Sequence, residues 1–119
     1  MIVRSIVVVL AAAALTGSAA AAPTGYFGPP TPGAERVICE IFGPYCRQAL
    51  AVVRCESRFS TSSANGQYIG LFQMGSWERR KYGHAYGATI AAVYGQVRAA
   101  YRYFVASGKD WSPWECKPW

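Results

Sequence analysis

ALAVVRCESRF (49–59) and, after a polar connection, NGQYIGLFQM (65–74) form the stretch that decides the fold. Ala49, Val52, Val53 and Glu56 recur at the i, i+3, i+4, i+7 spacing that lines one face of a helix. Arg47, Arg54 and Arg58 fall on the other side, so Glu56 stands on the apolar stripe. It also lies near the negative end of the helix dipole. Desolvation and the dipole both favour a protonated carboxyl, the state a general acid needs near neutral pH. A competing reading of the same residues is a frayed terminal glutamate paired with Arg58 or another arginine. The residue pattern leaves both readings open.

Upstream, Pro44 suits the first residue of this helix, with Gly43 breaking whatever precedes it. The chain has four cysteines, Cys39, Cys46, Cys55 and Cys116, and one histidine, His84. No CxxC spacing occurs and His84 is remote in sequence from all four, so two disulfides are expected rather than a zinc site. Within one helix, Cys46 and Cys55 would be about 13 Å apart at about 1.5 Å per residue. A disulfide needs Cα atoms within about 7 Å, so these two are not partners.

Downstream, 57–70 turns to Ser, Thr, Asn and Gly, and Asn65-Gly66 between apolar residues predicts a β-hairpin. A short helix is expected from Ser76, its N-cap, to about Gly83. The longest helix is expected from Thr89, with Ile90, Val93, Tyr94, Val97, Tyr101, Phe104 and Val105 on one face and Gly108 as its stop. Gly95 inside it costs about 1 kcal/mol relative to Ala, which predicts close backbone packing there. The tail KDWSPWECKPW holds three of the four tryptophans.

The N-terminus reads as an export signal over 1–21. Arg4 is its basic residue, Ile6 to Ala14 its apolar core, and cleavage is expected after Ala20 or Ala21. That core is too short to span the roughly 20 residues of a membrane helix. Residues 22–33, rich in Pro and Gly, read as an extended linker, and 34–119 as one small domain. Without Arg4, eleven Lys/Arg face six Asp/Glu, a formal net charge of +5. Arg79-Arg80-Lys81 reads as a solvated face, or as a hold on anionic polymers. Export and the lack of a recognisable module argue against nucleic-acid binding.

CESRF, NGQYIGLFQMGSW, QVRAAYRYF and SGKDW together resemble the lysozyme-like lytic transglycosylases of the soluble (SLT) class. Cys55-Glu56-Ser57 and Trp114-Glu115-Cys116 are similar to the resuscitation-promoting factors within that group. The resemblance runs from Val37 to Cys116. It implies Glu56 as the catalytic acid, followed by Ser57. It also implies Gly70, Leu71, Phe72 and Gln73 as a strand lining a glycan cleft, and the pairings Cys55–Cys116 and Cys39–Cys46. The Ala-Tyr-Asn-Ala-Gly motif of many larger members is absent, and Trp111-Ser112-Pro113-Trp114 stands near its place.

The expectation is therefore an α+β, mainly α, small lysozyme-like domain with a short β-hairpin and two disulfides. The expected function is cleavage of β-1,4 bonds between N-acetylmuramic acid and N-acetylglucosamine in peptidoglycan, by a secreted, wall-associated monomer without cofactor or metal. Substrate contacts are expected from Ser57, Tyr68, Gly70, Gln73 and Trp114, while Trp77, Tyr94 and Phe104 are expected in the core and His84 in a surface loop. No Asp or Glu lies between Glu56 and Gln73, so a lytic transglycosylase with one acid/base group is expected. A muramidase-type hydrolase becomes the alternative if the fold brings Asp110 or Glu115 back to the cleft. Other classes are a non-catalytic wall-binding module and a cationic protein acting on membranes or partners, although no stable membrane association is expected after signal removal.

Overall fold

The computed structural model describes residues 25–119. The expected signal segment and residues 22–24 lie outside the described residues. The described part is mainly α, with helices α1 (Ala34–Phe42), α2 (Cys46–Ser57), α3 (Ser76–Tyr82) and α4 (Ile90–Ala106). A two-stranded antiparallel sheet, β1 (Ala64–Asn65) and β2 (Tyr68–Ile69), sits between α2 and α3. Two disulfides close it, Cys39–Cys46 and Cys55–Cys116. No described helix is long and apolar enough to cross a membrane.

Helix α1 was not anticipated from sequence. It buries Val37, Ile38 and Phe42 and joins α2 through a 3₁₀ turn, Gly43–Tyr45. Pro44 thus lies inside that turn rather than at the start of α2. The turn reverses the chain enough to bring the Cys39 and Cys46 Cα atoms to 4.5 Å, which seven continuous helical residues would prevent.

Phe42 is the hub of the core. Its ring lies 5.3 Å from Phe72, 5.1 Å from Tyr101, 5.5 Å from Phe104 and 5.7 Å from Trp111. Helix α4 starts as expected, with the Thr89 side chain accepting from the N–H of Ala92. Its Val93, Val97 and Phe104 are buried, but Ile90 and Val105, at the ends of the stripe, are exposed. At Gly95 an added Cβ would come within 2.4 Å of the Ala85 Cβ, so the close packing expected there is present.

The hairpin pairs Ala64 with Ile69 and Asn65 with Tyr68, which makes Gly66-Gln67 the turn residues, one position beyond Asn65-Gly66. Gly66 has φ +63° and Gln67 does not have positive φ, the pattern of a Gly-first two-residue turn. Gly70 to Gln73 is a tight turn rather than a strand, closed by two bonds between Ile69 and Met74, each 3.1 Å. Leu71 and Phe72 drop from it into the core.

The described linker residues are extended but do not stand off as a spacer. Tyr26 exchanges backbone bonds with Ala64 at 2.6 and 2.9 Å, and the N–H of Thr31 donates to Phe59 at 2.7 Å. Composition could not show this, because those bonds use backbone groups and Ser/Thr side chains of the domain.

Candidate active site

Glu56 is in the last turn of α2, 6% exposed. Its apolar neighbours on the stripe, Val52 and Val53, are completely buried, and that burial fixes which way the helix faces. Its Oε2 accepts a hydrogen bond from the backbone N–H of Cys116 at 3.0 Å. Despite its burial, Glu56 lines a cavity of about 470 Å³ with Tyr26, Phe27, Asn65, Gln73, Glu115 and Cys116.

A second cavity, of about 220 Å³, is lined by Tyr68, Gln73, Trp77, Glu78, Tyr103 and Trp114, among others. Gln73 lines both cavities. Gln73 has φ +48°, a left-handed conformation that costs a non-glycine residue about 1–2 kcal/mol. Its side-chain amide donates to the carbonyls of Ser63 at 2.9 Å and Gly70 at 3.0 Å, which holds the strained turn. Gln73 is therefore a fixed wall residue common to both cavities.

The residues expected to touch substrate divide sharply. Glu56, Tyr68 and Gln73 line the two cavities. Ser57 and Gly70 do not. Ser57 is fully buried and its hydroxyl donates to the Val53 carbonyl. Gly70 has φ +91°, and a Cβ there would meet the Gln96 Oε1 at 2.7 Å; it is a glycine for packing reasons. Trp114 lines the second cavity but is 1% exposed, with its indole N–H donating to the Phe72 carbonyl at 2.9 Å. It is a core residue that forms wall, not an open stacking face.

Trp77, expected in the core, is instead 56% exposed at the second cavity, with the Lys81 ammonium 5.1 Å from its ring centre. Helix α3 spans only Ser76–Tyr82, too short for periodicity to tell an inward ring from an outward one. Its N-cap is Gly75 rather than Ser76, and the Gln67 side chain accepts from both the N–H and the hydroxyl of Ser76. Arg79, expected on a solvated face, donates to the carbonyls of Gln67 and Met74. It pins the hairpin to α3, while Arg80 and Lys81 stay exposed.

His84 is buried rather than in an exposed loop, and its Nδ1 has no partner. Burial first, and then the charge of Arg79, lowers the imidazole to about 4, so it is neutral at neutral pH. In the second cavity, burial followed by the charge of Glu78 pushes the Tyr103 phenol up to about 12. It stays a neutral hydroxyl beside that carboxylate.

The remaining carboxylates separate by position. Glu40 is tied at the surface to Tyr94 and, at 2.8 Å, to Arg36, which together hold it below the usual carboxylate range. Asp110 accepts from the N–H of Ser112 in the tail. Glu115 shares the Glu56 cavity. Its place follows from the tail: Trp111 and Trp114 are buried in the core, and Cys116 bonds to Cys55, so the residue between Trp114 and Cys116 is carried to Glu56. Among the described residues, no group of three or more His, Cys, Asp or Glu could hold a metal.

No protein-family model matches the chain. No curated protein or solved structure matches it either. The site therefore stands on its own chemistry: a buried acid in an open cavity, a strained glutamine beside it, and exposed aromatic rings on both sides.

Proposed function

We propose that this chain cleaves the β-1,4 glycosidic bond between N-acetylmuramic acid and N-acetylglucosamine in peptidoglycan, with Glu56 as the general acid. The observation that carries this reading is one buried glutamate, Glu56, lining a cavity that also holds the exposed rings of Tyr26 and Phe27, with Gln73 common to that cavity and to a second one that holds the exposed ring of Trp77. A buried carboxyl suits proton donation. Rings of Trp and Tyr suit the apolar faces of pyranoses. The resemblance of CESRF and GLFQ to the lysozyme-like transglycosylases supports the same assignment. The two disulfides and the signal-like N-terminus support action outside the cytoplasm, where a cationic chain meets anionic wall polymers.

In the favoured mechanism Glu56 donates its proton to the oxygen linking muramyl C1 to the next sugar. The C1–O bond breaks, and positive charge develops on the muramyl ring. The glutamate, now ionised, takes the proton from the C6 hydroxyl, and that oxygen closes onto C1. The products are a 1,6-anhydromuramyl end and a free hydroxyl end, and no water is consumed.

One observation favours a second reading. Glu115 lines the same cavity as Glu56, and a hydrolase uses two carboxyl groups, about 5–5.5 Å apart for retention or about 6.5–9.5 Å for inversion. Digestion of purified peptidoglycan in ¹⁸O-labelled water separates the two. An unlabelled anhydro end is the expected product, and label at muramyl C1 would establish hydrolysis instead. No soluble product of either kind would remove the enzymatic reading.

A further inference from the structure

The wall of the Glu56 cavity contains a segment that composition marks as linker. Gly25, Tyr26 and Phe27 line that cavity, and they are firmly attached. Tyr26 forms a one-residue antiparallel bridge to the edge of the hairpin through its two bonds to Ala64. The N–H of Gly28 donates to the Ser63 hydroxyl at 3.0 Å. Thr31 is held from both sides, its N–H on the Phe59 carbonyl and its hydroxyl accepting from the N–H of Thr61 at 3.0 Å. A Cβ at Gly28 would lie 2.1 Å from the Ser62 hydroxyl and 2.4 Å from that of Ser60, so the strap lies directly on the domain.

Its two aromatic side chains nevertheless stay open. Tyr26 is 57% and Phe27 45% exposed, in a domain that buries Phe42, Phe72, Phe104, Trp111 and Trp114 almost completely. The Arg58 guanidinium sits 4.0 Å from the Phe27 ring centre. That contact restrains the ring from one side. Rings fixed by their backbone, open to solvent and beside a buried carboxyl have the properties of a sugar-stacking surface. The apolar face of a pyranose would cover ring area, and the polar edge of the sugar would remain near Glu56 and Asn65.

We propose that Tyr26 and Phe27 form a pyranose-binding platform of the Glu56 cavity, which makes the N-terminal strap part of the glycan site. This rests on the glycan-cleaving reading above. The platform and Trp77 would then hold sugars on opposite sides of Gln73.

The test uses the full mature chain carrying Glu56→Gln, which binds without turnover. Its titration with a tetrasaccharide of alternating N-acetylglucosamine and N-acetylmuramic acid gives the reference Kd. Adding Tyr26→Ala with Phe27→Ala should weaken binding by about tenfold, which corresponds to about 1.4 kcal/mol. Tyr26→Leu with Phe27→Leu keeps apolar bulk without a flat ring and should weaken binding similarly with an unchanged melt. In the Glu56 background, the leucine pair should raise KM and leave kcat within about twofold. An unchanged Kd in the leucine pair overturns the platform while leaving the glycan reading intact. No binding by the Glu56→Gln parent overturns the glycan reading, and the platform falls with it.

Discussion

The backbone N–H of Cys116 donates to Oε2 of Glu56 across 60 positions of sequence, and the neighbouring Cys55 is covalently joined to Cys116. One disulfide therefore sets the position of both the tail and the candidate acid. Because the donor is a backbone group, no side-chain substitution in the tail can remove it without moving the tail.

That geometry makes Glu56→Gln a clean test. The glutamine oxygen can still accept from Cys116, so the thermal melt should stay within about 1 kcal/mol of the parent, while cleavage of peptidoglycan falls below detection. Retention of even a tenth of the activity would remove Glu56 as the acid. Glu78→Gln, in the second cavity, should be much milder.

Opening the Cys55–Cys116 bond removes a closure spanning 61 residues. In the chain-entropy account the loss is about 4 kcal/mol. Cys55→Ser with Cys116→Ser should therefore melt far below the parent. Activity should be lost at temperatures where the helical circular-dichroism signal persists, because the Cys116 N–H is no longer held on Glu56. Full activity in the folded double variant would show that the tail does not position the acid.

Trp77 and Trp114 should respond in opposite ways. Trp77 is exposed at the second cavity, so Trp77→Ala should raise KM with little change in melting. Trp114 is buried and bonded to Phe72, so Trp114→Ala should cost about 3–5 kcal/mol. Urea unfolding of the two variants, with kinetics on the first, checks the division.

His84 predicts a pH dependence of stability. Its folded value of about 4 lies below the ordinary 6.5, so the unfolded chain binds the proton more readily. The stability lost on protonation is fully present above about pH 6.5, declines as pH falls, and levels off below about 4. The whole effect is at most about 3 kcal/mol. The facing charge that reinforces the low value is Arg79. His84→Gln should flatten the difference in urea midpoint between pH 7 and pH 4.5; an identical pH profile in that variant would show that His84 titrates normally.

Helix α4 offers a packing test independent of function. Gly95→Ala places a methyl group 2.4 Å from that of Ala85, so the loop before α4 must shift. A loss of about 1–3 kcal/mol is expected, although alanine is the better helix former. A melt equal to or above the parent would mean that the loop yields freely.

The sequence by itself determined what depends on spacing along one element. The i, i+3, i+4, i+7 register put Glu56 on the apolar stripe of α2, and the structure decided that it is buried there rather than frayed. Thr89 marked the start of α4, and Gly95 marked a close contact. The helical rise separated Cys46 from Cys55. Only the tertiary structure decided what depends on distant segments meeting. Trp114 became core and Trp77 surface because burial of a ring depends on what stands opposite it, and a seven-residue helix carries no pattern that says so. Glu115 reached the Glu56 cavity because two buried tryptophans and a disulfide hold the tail there. Tyr26, and with it Phe27, reached the Glu56 cavity through the backbone hydrogen bonds of Tyr26 to Ala64, which a residue of any type can make and which therefore leave no mark in composition.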